Sequence, residues 1–177
     1  MRFRAAKPAE AAVVADILHD AARWLGQAGM PHGVMWRDDE MNPARIAADV
    51  RAGLYFLAEI GGVPAATVRF QLDDPEFWPD APRSDAAYIH RLARRQGCGG
   101  AGIGAAALAW AVEHTRQLGR HALRLDCEAS RTRLRALYEG FGFRHHSDRQ
   151  VGPYLVSRYE YTLSGDTTPQ RGGIAPP

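Results

Sequence analysis

The sequence predicts an α/β (α+β) protein with a mixed central sheet of about six to seven strands. Three observations carry this prediction. Two segments with helical periodicity precede the first strand pair, a two-glycine turn at 61–62 joins that pair, and a later apolar strand is followed at crossover spacing by a helix and another strand. A strand–helix–strand unit places its strands parallel, whereas a hairpin is antiparallel, so the sheet is expected to be mixed.

The N-terminal part of the chain predicts one short strand and two helices. The strand lies near residues 3–5, and the first helix runs from residue 8 to about residue 27. Asn42-Pro43 is typical of an N-cap followed by proline at the first helical position, so the second helix begins there and ends at Gly53. The apolar residues expected to face the core are Val14, Ile17, Leu18, Ala21 and Leu25 in the first helix and Ile46 and Val50 in the second.

The middle of the chain predicts a hairpin followed by a long loop. Residues 54–60 and 63–72 are its two strands, and the loop 73–85 is rich in Asp and Pro. Phe77 and Trp78 stand inside this loop. Two interpretations are open for the aromatic pair: a hydrophobic plug that ties the loop to the core, or a wall over a pocket.

The C-terminal half predicts two strand–helix pairs and two closing strands. The elements are strand 88–92, a helix ending at Gly119, strand 121–127, a helix capped by Ser130, and strands 143–146 and 155–163. Predicted core positions are Ile103, Ala107, Trp110, Ala111, His114 and Leu118 in the first of these helices, Leu134, Leu137, Tyr138 and Phe141 in the second, and a shared strand face with Tyr159, Tyr161 and Leu163. Residues 1–163 are predicted to form a single domain, followed by a disordered tail at 164–177.

Bulk composition narrows the classes of function. A chain of 177 residues with 46% hydrophobic and 24% charged residues is ordinary for one globular domain. The formal net charge of +2 provides no strong field for nucleic acid. No apolar run approaches membrane-spanning length, and the N-terminus lacks the apolar core of a signal peptide. Cys98 and Cys127 have no metal-site spacing, so a reduced, cytoplasmic protein without a metal is expected.

The strongest functional signal is the stretch Gly99-Gly100-Ala101-Gly102-Ile103-Gly104. It opens a helix, and the first N–H groups of a helix have no partner within it and favour an anion such as a pyrophosphate. The stretch also satisfies the dinucleotide-binding pattern, with Asp126 near the position of a ribose-binding acid. Helices and a hairpin before the glycines, and a six-residue gap after the strand, argue against that alternative.

A second motif follows at Leu137-Tyr138-Glu139-Gly140-Phe141-Gly142-Phe143, with the strand Leu123–Cys127 between the two. In this order and separation the motifs resemble those of the GNAT superfamily of N-acetyltransferases, over roughly Met1–Leu163. The resemblance implies a GNAT-like mixed sheet with helices on both faces. It also implies acetyl-CoA as cosubstrate, bound where the two parallel strands separate, and direct transfer without a metal.

The resemblance also assigns roles to individual residues. It implies that backbone N–H groups of the glycine stretch hold the pyrophosphate, and that a β-bulge near Leu92, Ala93 and Arg94 presents backbone groups to the pantetheine arm. The predicted cofactor-binding residues are Leu92, Ala93, Arg94, Gly99, Gly100, Ala101, Gly102, Ile103, Gly104 and Arg131. Two positions depart from the family pattern: Gly99 replaces an Arg or Gln, and Ser130-Arg131 stands where Asn is frequent.

Tyr138 and His90 are the predicted catalytic residues. In the family the tyrosine lies near the sulfur and donates a proton to the departing thiolate; a core tyrosine is the alternative for Tyr138. His90 is a candidate general base because it titrates in the useful range and shares strand parity with Tyr88 and Leu92. A structural histidine is its alternative. Asp126 and Glu59 are weaker candidates for the base.

The acceptor is expected to be a primary amine of a small molecule. Its pocket is predicted from the first two helices, the loop 73–85 and a turn at 147–153. Acidic residues of these loops suit a cationic amine: Asp38, Asp39, Glu40, Asp73, Asp74 and Glu76. A protein or peptide acceptor and a non-catalytic acyl-CoA-binding protein stay open as alternatives, as does a homodimer.

Overall fold

The computed structural model describes residues 1–29, 36, 41–82, 85–98 and 102–163. Strands β1 (Arg2–Ala5), β2 (Tyr55–Ile60), β3 (Val63–Gln71), β4 (Ala86–Arg94), β5 (Ala122–Glu128), β6 (Arg144–Val151) and β7 (Tyr154–Thr162) form one sheet of order β1-β2-β3-β4-β5-β7-β6. The helices are α1 (Ala11–Gln27), α2 (Pro43–Arg51), α3 (Ile103–Gln117) and α4 (Thr132–Phe141), and a 3₁₀ turn at Pro8–Glu10 precedes α1. Within this part of the chain no helix is both long and apolar enough to cross a bilayer.

The sheet is mixed, as predicted. Every neighbouring pair is antiparallel except β4 and β5, which the crossover helix α3 connects in parallel. A dinucleotide-binding fold would need further parallel strands beside this pair. The strand order therefore favours the acetyltransferase-like prediction over the dinucleotide alternative.

Side-chain alternation along the central strands separates two cores. Ala87 and Ile89 of β4 pack with buried residues of α3 and α4, whereas Tyr88 points to the opposite face. That opposite face is covered by α1 and α2 over β2–β4, and by the loop after β3 over β4, β5 and β7. Helices on both faces confirm the expectation drawn from the sequence motifs.

The buried stripe of α3 differs from the predicted one. Leu108, Val112 and Thr115 are buried, whereas Leu118 is 45% exposed. Leu118 is the C-cap residue and lies beyond the last turn that covers the sheet. Trp110 and His114 lie at the side of the buried stripe, and their rings stack on each other with centroids 5.1 Å apart. The predicted core positions at these two residues are therefore only partly buried.

The predicted start of α4 is wrong in detail. Arg131 occupies the N-cap without a side-chain hydrogen bond, and the Ser130 hydroxyl donates to the Glu128 carboxylate instead. Tyr138 is the buried residue of this helix, while Leu137 is 41% exposed. The side chain of Leu137 leans toward the first turn of α3, where a Cβ added to Gly104 would lie 3.6 Å from it. Contact between the middle of α4 and the first turn of α3 thus replaces the expected burial against the sheet.

Strand β6 is longer than predicted, whereas β7 has the predicted length and is shifted by one residue. β6 continues to Val151, so most of the predicted turn at 147–153 is strand, and the turn consists of Gly152 and Pro153. Gly152 has φ 54, a left-handed conformation that glycine adopts without strain. Tyr159, Tyr161 and Leu163 face the core under α3 and α4 together, as the alternation predicts.

The capping prediction at Asn42 is confirmed. Its side-chain oxygen accepts a hydrogen bond from the Ala44 backbone N–H at 2.8 Å, directly before α2. We expect Asn42→Ala to lower the free energy of unfolding by about 1 kcal/mol, because the orphan N–H loses its acceptor. Urea unfolding of Asn42→Ala beside Asn42→Ser checks this, since serine restores an acceptor. Equal stability of the alanine and serine variants would contradict it.

Candidate functional site

The parallel strands β4 and β5 separate near the middle of the sheet. Their pairing runs from Ala86 with Ala122 to Ile89 with Leu125 and then stops. Beyond this point β4 continues beside β3, and β5 continues beside β7. His90 and Asp126 are the first residues past the last parallel pair, so both stand at the fork between the strands.

A β-bulge in β4 accompanies the fork. Thr67 pairs with Ala93 and Arg69 with His90, which leaves one extra residue on β4. The bulge lies at Arg91–Leu92, earlier than the predicted 92–94, and Arg91 has φ 51. Because the bulge shifts the alternation, the predicted common face of Leu92 with Tyr88 and His90 is wrong.

Leu92, inside the bulge, and Ala93, after it, confirm the shift. Leu92 packs against the core under α3 and α4, and Ala93 against the core under α1. The side chain of Arg91 is turned into the protein, where its Nη1 donates to the Tyr55 hydroxyl at 2.9 Å. The bulge therefore ends the pairing with β5 and leaves backbone of β4 at the edge of the fork.

A cavity of about 200 Å³ occupies the fork. Residues of β4, β5, α1 and α4 line it, together with Phe77 of the loop after β3. The predicted site residues that it brings together are His90, Leu92, Ala93, Arg94, Arg131 and Tyr138. Trp24 of α1 and Trp36 line it as well.

The glycine stretch is described only in part. Gly102 precedes α3 with φ 125, and open space lies where its side chain would be. Ile103 is buried against Ala58 and Ala66, so this residue can offer a ligand only its backbone. Gly104 lies in the first turn of α3. Gly99, Gly100 and Ala101, and the acidic residues 38–40, lie outside the described residues.

Tyr138 is both a core residue and a cavity-lining residue. It is 6% exposed and packs with the rings of Phe143 and Tyr159, at centroid distances of 6.1 and 5.8 Å. Burial raises the pKa of its hydroxyl well above the ordinary value, and the nearby Cys127 and Asp126 add to the effect. The phenol therefore keeps its proton at neutral pH and is available as a donor.

His90 lies between two carboxylates. Its Nε2 is 2.9 Å from Asp74 Oδ2, and its Nδ1 is 3.3 Å from Asp126 Oδ1. Burial lowers the pKa of His90, but the contacts with Asp126 and Asp74 more than offset this and raise it to about 9. At neutral pH the ring is an imidazolium without a lone pair, so the geometry favours a charged positioning role over that of the base.

The sequence did not identify Asp74 as a partner of His90. Asp74 appeared only among the acidic loop residues, because nothing in the spacing shows that a loop residue reaches a strand sixteen positions later. Glu59, a weaker candidate for the base, is paired with Arg4 at 2.7 Å and does not line the cavity.

One possible metal-ligand atom from each of Asp74, His90 and Asp126 lies within 4.8 Å of the other two. Their arrangement fits a metal poorly. The ring nitrogens of an imidazole point in divergent directions, and here each faces a different carboxylate. The arrangement favours a charged hydrogen-bonding group, which we call the Asp74–His90–Asp126 triad.

The raised pKa of His90 predicts how stability depends on pH. The unfolded histidine titrates near 6.5 and the folded one near 9, so this contribution is complete below about pH 6.5 and is lost as pH rises through 9. We expect wild type to lose on the order of 3 kcal/mol relative to His90→Gln between pH 6 and 10. Urea unfolding at a series of pH values measures the difference; parallel curves for the two proteins would contradict it.

The loop that carries Asp74 is anchored to the sheet. Trp78 lies between the guanidinium carbons of Arg124 and Arg158, at 5.0 and 4.7 Å from its ring centroid. Arg158 also pairs with Asp80 at 2.6 Å. The aromatic pair is therefore a plug, as one interpretation predicts, while Phe77 also forms part of the cavity wall, as the other predicts.

Comparisons with known proteins agree with this geometry. A model of the acetyltransferase (GNAT) family matches residues 17–143. The uncharacterized N-acetyltransferase YesJ of Bacillus subtilis (strain 168) is 33% identical over 85 residues, which cover 48% of this chain and 47% of YesJ. The chain thus aligns with about half the length of that curated relative.

Solved structures share the fold. A GNAT-family acetyltransferase from Listeria monocytogenes superposes with a TM-score of 0.76 at 22% identity, over 92% of this chain and 94% of the other. The acetyltransferase yncA from Salmonella typhimurium, solved with its cofactor acetyl-CoA, gives 0.69 at 17% identity, over 97% and 98% of the two chains. Because the family model matches residues 17–143, which is more than half of the chain, the chain belongs to the GNAT family of acetyltransferases.

Proposed function

We propose that this protein is an N-acetyltransferase that transfers an acetyl group from acetyl-CoA to a primary amine of a small molecule by direct attack. One observation carries the proposal: the protonated phenol of Tyr138 and the carboxylate of Asp126 line the same cavity at the fork of β4 and β5. Acetyl transfer to an amine needs a proton donor for sulfur and an acceptor for the proton of nitrogen.

The residues around the fork suit acetyl-CoA. Backbone of Leu92, Ala93 and Arg94 lies along the bulged edge of β4, where a pantetheine arm can be held by strand-like hydrogen bonds. The start of α3 offers N–H groups at Gly102, Ile103 and Gly104 to a pyrophosphate. We propose that residues 99–101 belong to the same pyrophosphate-binding segment. Arg131, at the start of α4, adds a positive charge to the cavity wall.

Tyr138 is proposed as the general acid. Bound acetyl-CoA supplies the acetyl group as a thioester, and the thiolate that departs gains from a positioned O–H donor. A donor of this kind contributes about 10²–10⁴-fold to rate. Cys127 lines the same cavity, but burial raises the pKa of its thiol to about 12, so it stays protonated. This supports direct attack over an acetylated cysteine.

A small-molecule acceptor is favoured by the shape and lining of the cavity. Its wall on the side of α1 is aromatic, with Trp24 and Trp36, and Phe77 closes another side. A cavity of about 200 Å³ with aromatic walls suits a compact amine better than an extended peptide. A protein or peptide amine is the alternative acceptor. We further propose residues 1–163 as the domain and the cytoplasm as its location, with both cysteines free.

The proposal is tested by screening a library of primary amines for thiol release from acetyl-CoA. We expect release with one group of small amines, and mass spectrometry of the product should show a gain of one acetyl group. Thermal unfolding with acetyl-CoA alone provides the control, because a bound ligand raises the melting temperature by mass action. A raised melting temperature without release for any amine or peptide would support the non-catalytic alternative instead.

A further inference from the structure

We propose that Asp126 binds the nitrogen of the acceptor amine and takes its proton, and that His90 and Asp74 are positioning residues that hold the Asp126 carboxylate. This inference rests on the proposed acetyl transfer and identifies the residues on its acceptor side. Two observations carry it: the place of Asp126 in the fork, where its side chain lines the cavity, and the attachment of the triad to an anchored loop.

Asp126 stands where the reacting atoms must meet. It is the first residue of β5 beyond the last pair with β4, and it lines the cavity together with Tyr138. Its charge also contributes to the raised pKa of the Tyr138 hydroxyl. A carboxylate and a phenol beside one cavity supply the two opposite proton transfers that acetylation of an amine requires.

One oxygen of the Asp126 carboxylate is turned to His90. Its Oδ1 lies 3.3 Å from His90 Nδ1 and is closed to solvent, so an amine in the cavity does not reach this atom. The side chain as a whole is 7% exposed and lines the cavity. Because a carboxylate accepts at both oxygens, the other oxygen is left for an N–H of the amine.

The rest of the triad fixes this carboxylate. Asp74 Oδ2 holds His90 Nε2 at 2.9 Å, while Asp74 Oδ1 accepts from the Phe77 backbone N–H at 3.3 Å. The plug formed by Phe77 and Trp78 therefore fixes Asp74, Asp74 fixes the imidazolium, and the imidazolium faces Asp126. Two carboxylates and one imidazolium carry one net negative charge, which favours a cationic amine over a neutral one.

The proton transfers balance. The bond between the acetyl carbon and the amine nitrogen forms, and the carbon–sulfur bond breaks with its electron pair on sulfur. An amine that binds as an ammonium first releases one proton to solvent, because nitrogen attacks with its lone pair. The second proton, which nitrogen loses during the attack, passes to Asp126, and the sulfur takes the phenolic proton of Tyr138. Return of one proton from Asp126 to Tyr138 through solvent restores both groups.

The test uses Asp126→Asn, Asp74→Asn and the double variant, with Asp16→Asn as a control for an exposed carboxylate on α1. The acceptor is the amine with the highest thiol release in the screen described above. We expect Asp126→Asn to lower kcat about 100-fold with acetyl-CoA affinity within threefold, and Asp74→Asn to lower it about tenfold. Because Asp74 acts through Asp126, the double variant should be no slower than Asp126→Asn alone.

Three results would overturn the inference: an Asp126→Asn variant that keeps a third of the activity, losses that multiply in the double variant, or an equal loss in Asp16→Asn. These results leave the proposed function intact, whereas a wild type that acetylates no amine ends both. If a variant does not fold, the kinetic test is replaced by NMR of the wild-type protein labelled with ¹⁵N-histidine. Both ring nitrogens of His90 should carry protons at pH 7, and one unprotonated nitrogen contradicts the positioning role.

Discussion

Replacing Tyr138 by phenylalanine is expected to lower kcat by about 100-fold or more, because the departing thiolate loses its proton donor. The affinity for acetyl-CoA should stay within about threefold of wild type, since the ring and its packing remain. The structure gives the hydroxyl no hydrogen bond to another described residue, so stability should scarcely change. Steady-state kinetics with the best amine, together with calorimetric titration of acetyl-CoA, measure the two quantities separately.

Tyr161→Phe is the matched control for this change. Tyr161 is a half-buried tyrosine of β7 that packs against Phe141 and Phe143 and does not line the cavity. Its replacement removes the same hydroxyl from the same core and should leave kcat unchanged. If Tyr138→Phe keeps a third of the activity of wild type, the general-acid role is wrong and Tyr138 is a core residue only. A parallel loss of acetyl-CoA affinity would indicate a binding role instead.

A second large effect is expected at the start of α3. Gly102 has φ 125, a conformation that residues with a side chain rarely adopt, although nothing within 4 Å would touch an added Cβ. Gly102→Ala should therefore strain the backbone or move the N–H groups that face the pyrophosphate. Strain of this kind costs about 1–3 kcal/mol. If the backbone relieves it by moving these N–H groups and binding must restore them, acetyl-CoA affinity falls by about fivefold to 150-fold.

Gly104→Ala provides the comparison within the same turn. Gly104 lies inside α3, and its added Cβ would meet Leu137 at 3.6 Å, an ordinary van der Waals distance. Alanine is also the better helix former, so affinity should be retained and stability should rise slightly. Titration of acetyl-CoA into both variants measures the contrast. Equal affinity of the two variants would show that the conformation of Gly102 does not matter for binding.

The local elements follow closely from sequence pattern. The cap at Asn42, the Gly61-Gly62 hairpin and the crossover between β4 and β5 are all present where the pattern predicts them. Each depends on residues close together in sequence, whose conformational preferences are strong. The errors fall at helix ends, such as Leu118, which lies exposed after the last turn of α3, and Ser130, whose hydroxyl bonds to Glu128 instead of capping α4.

The features of the candidate site also separate into those that local sequence predicts and those that only the folded chain shows. Short-range signals in the chain were sufficient to indicate a glycine-opened helix, a tyrosine in a characteristic motif, and hence the family. The partners of His90 needed the folded molecule, because Asp74 and Asp126 come from a loop and a neighbouring strand. The bulge at Arg91 depends on its pairing with β3. The sequence predicts an ordinary histidine at position 90, whereas the structure shows a buried imidazolium. The difference arises because charge interactions depend on distances in space, and the order of residues does not give those distances.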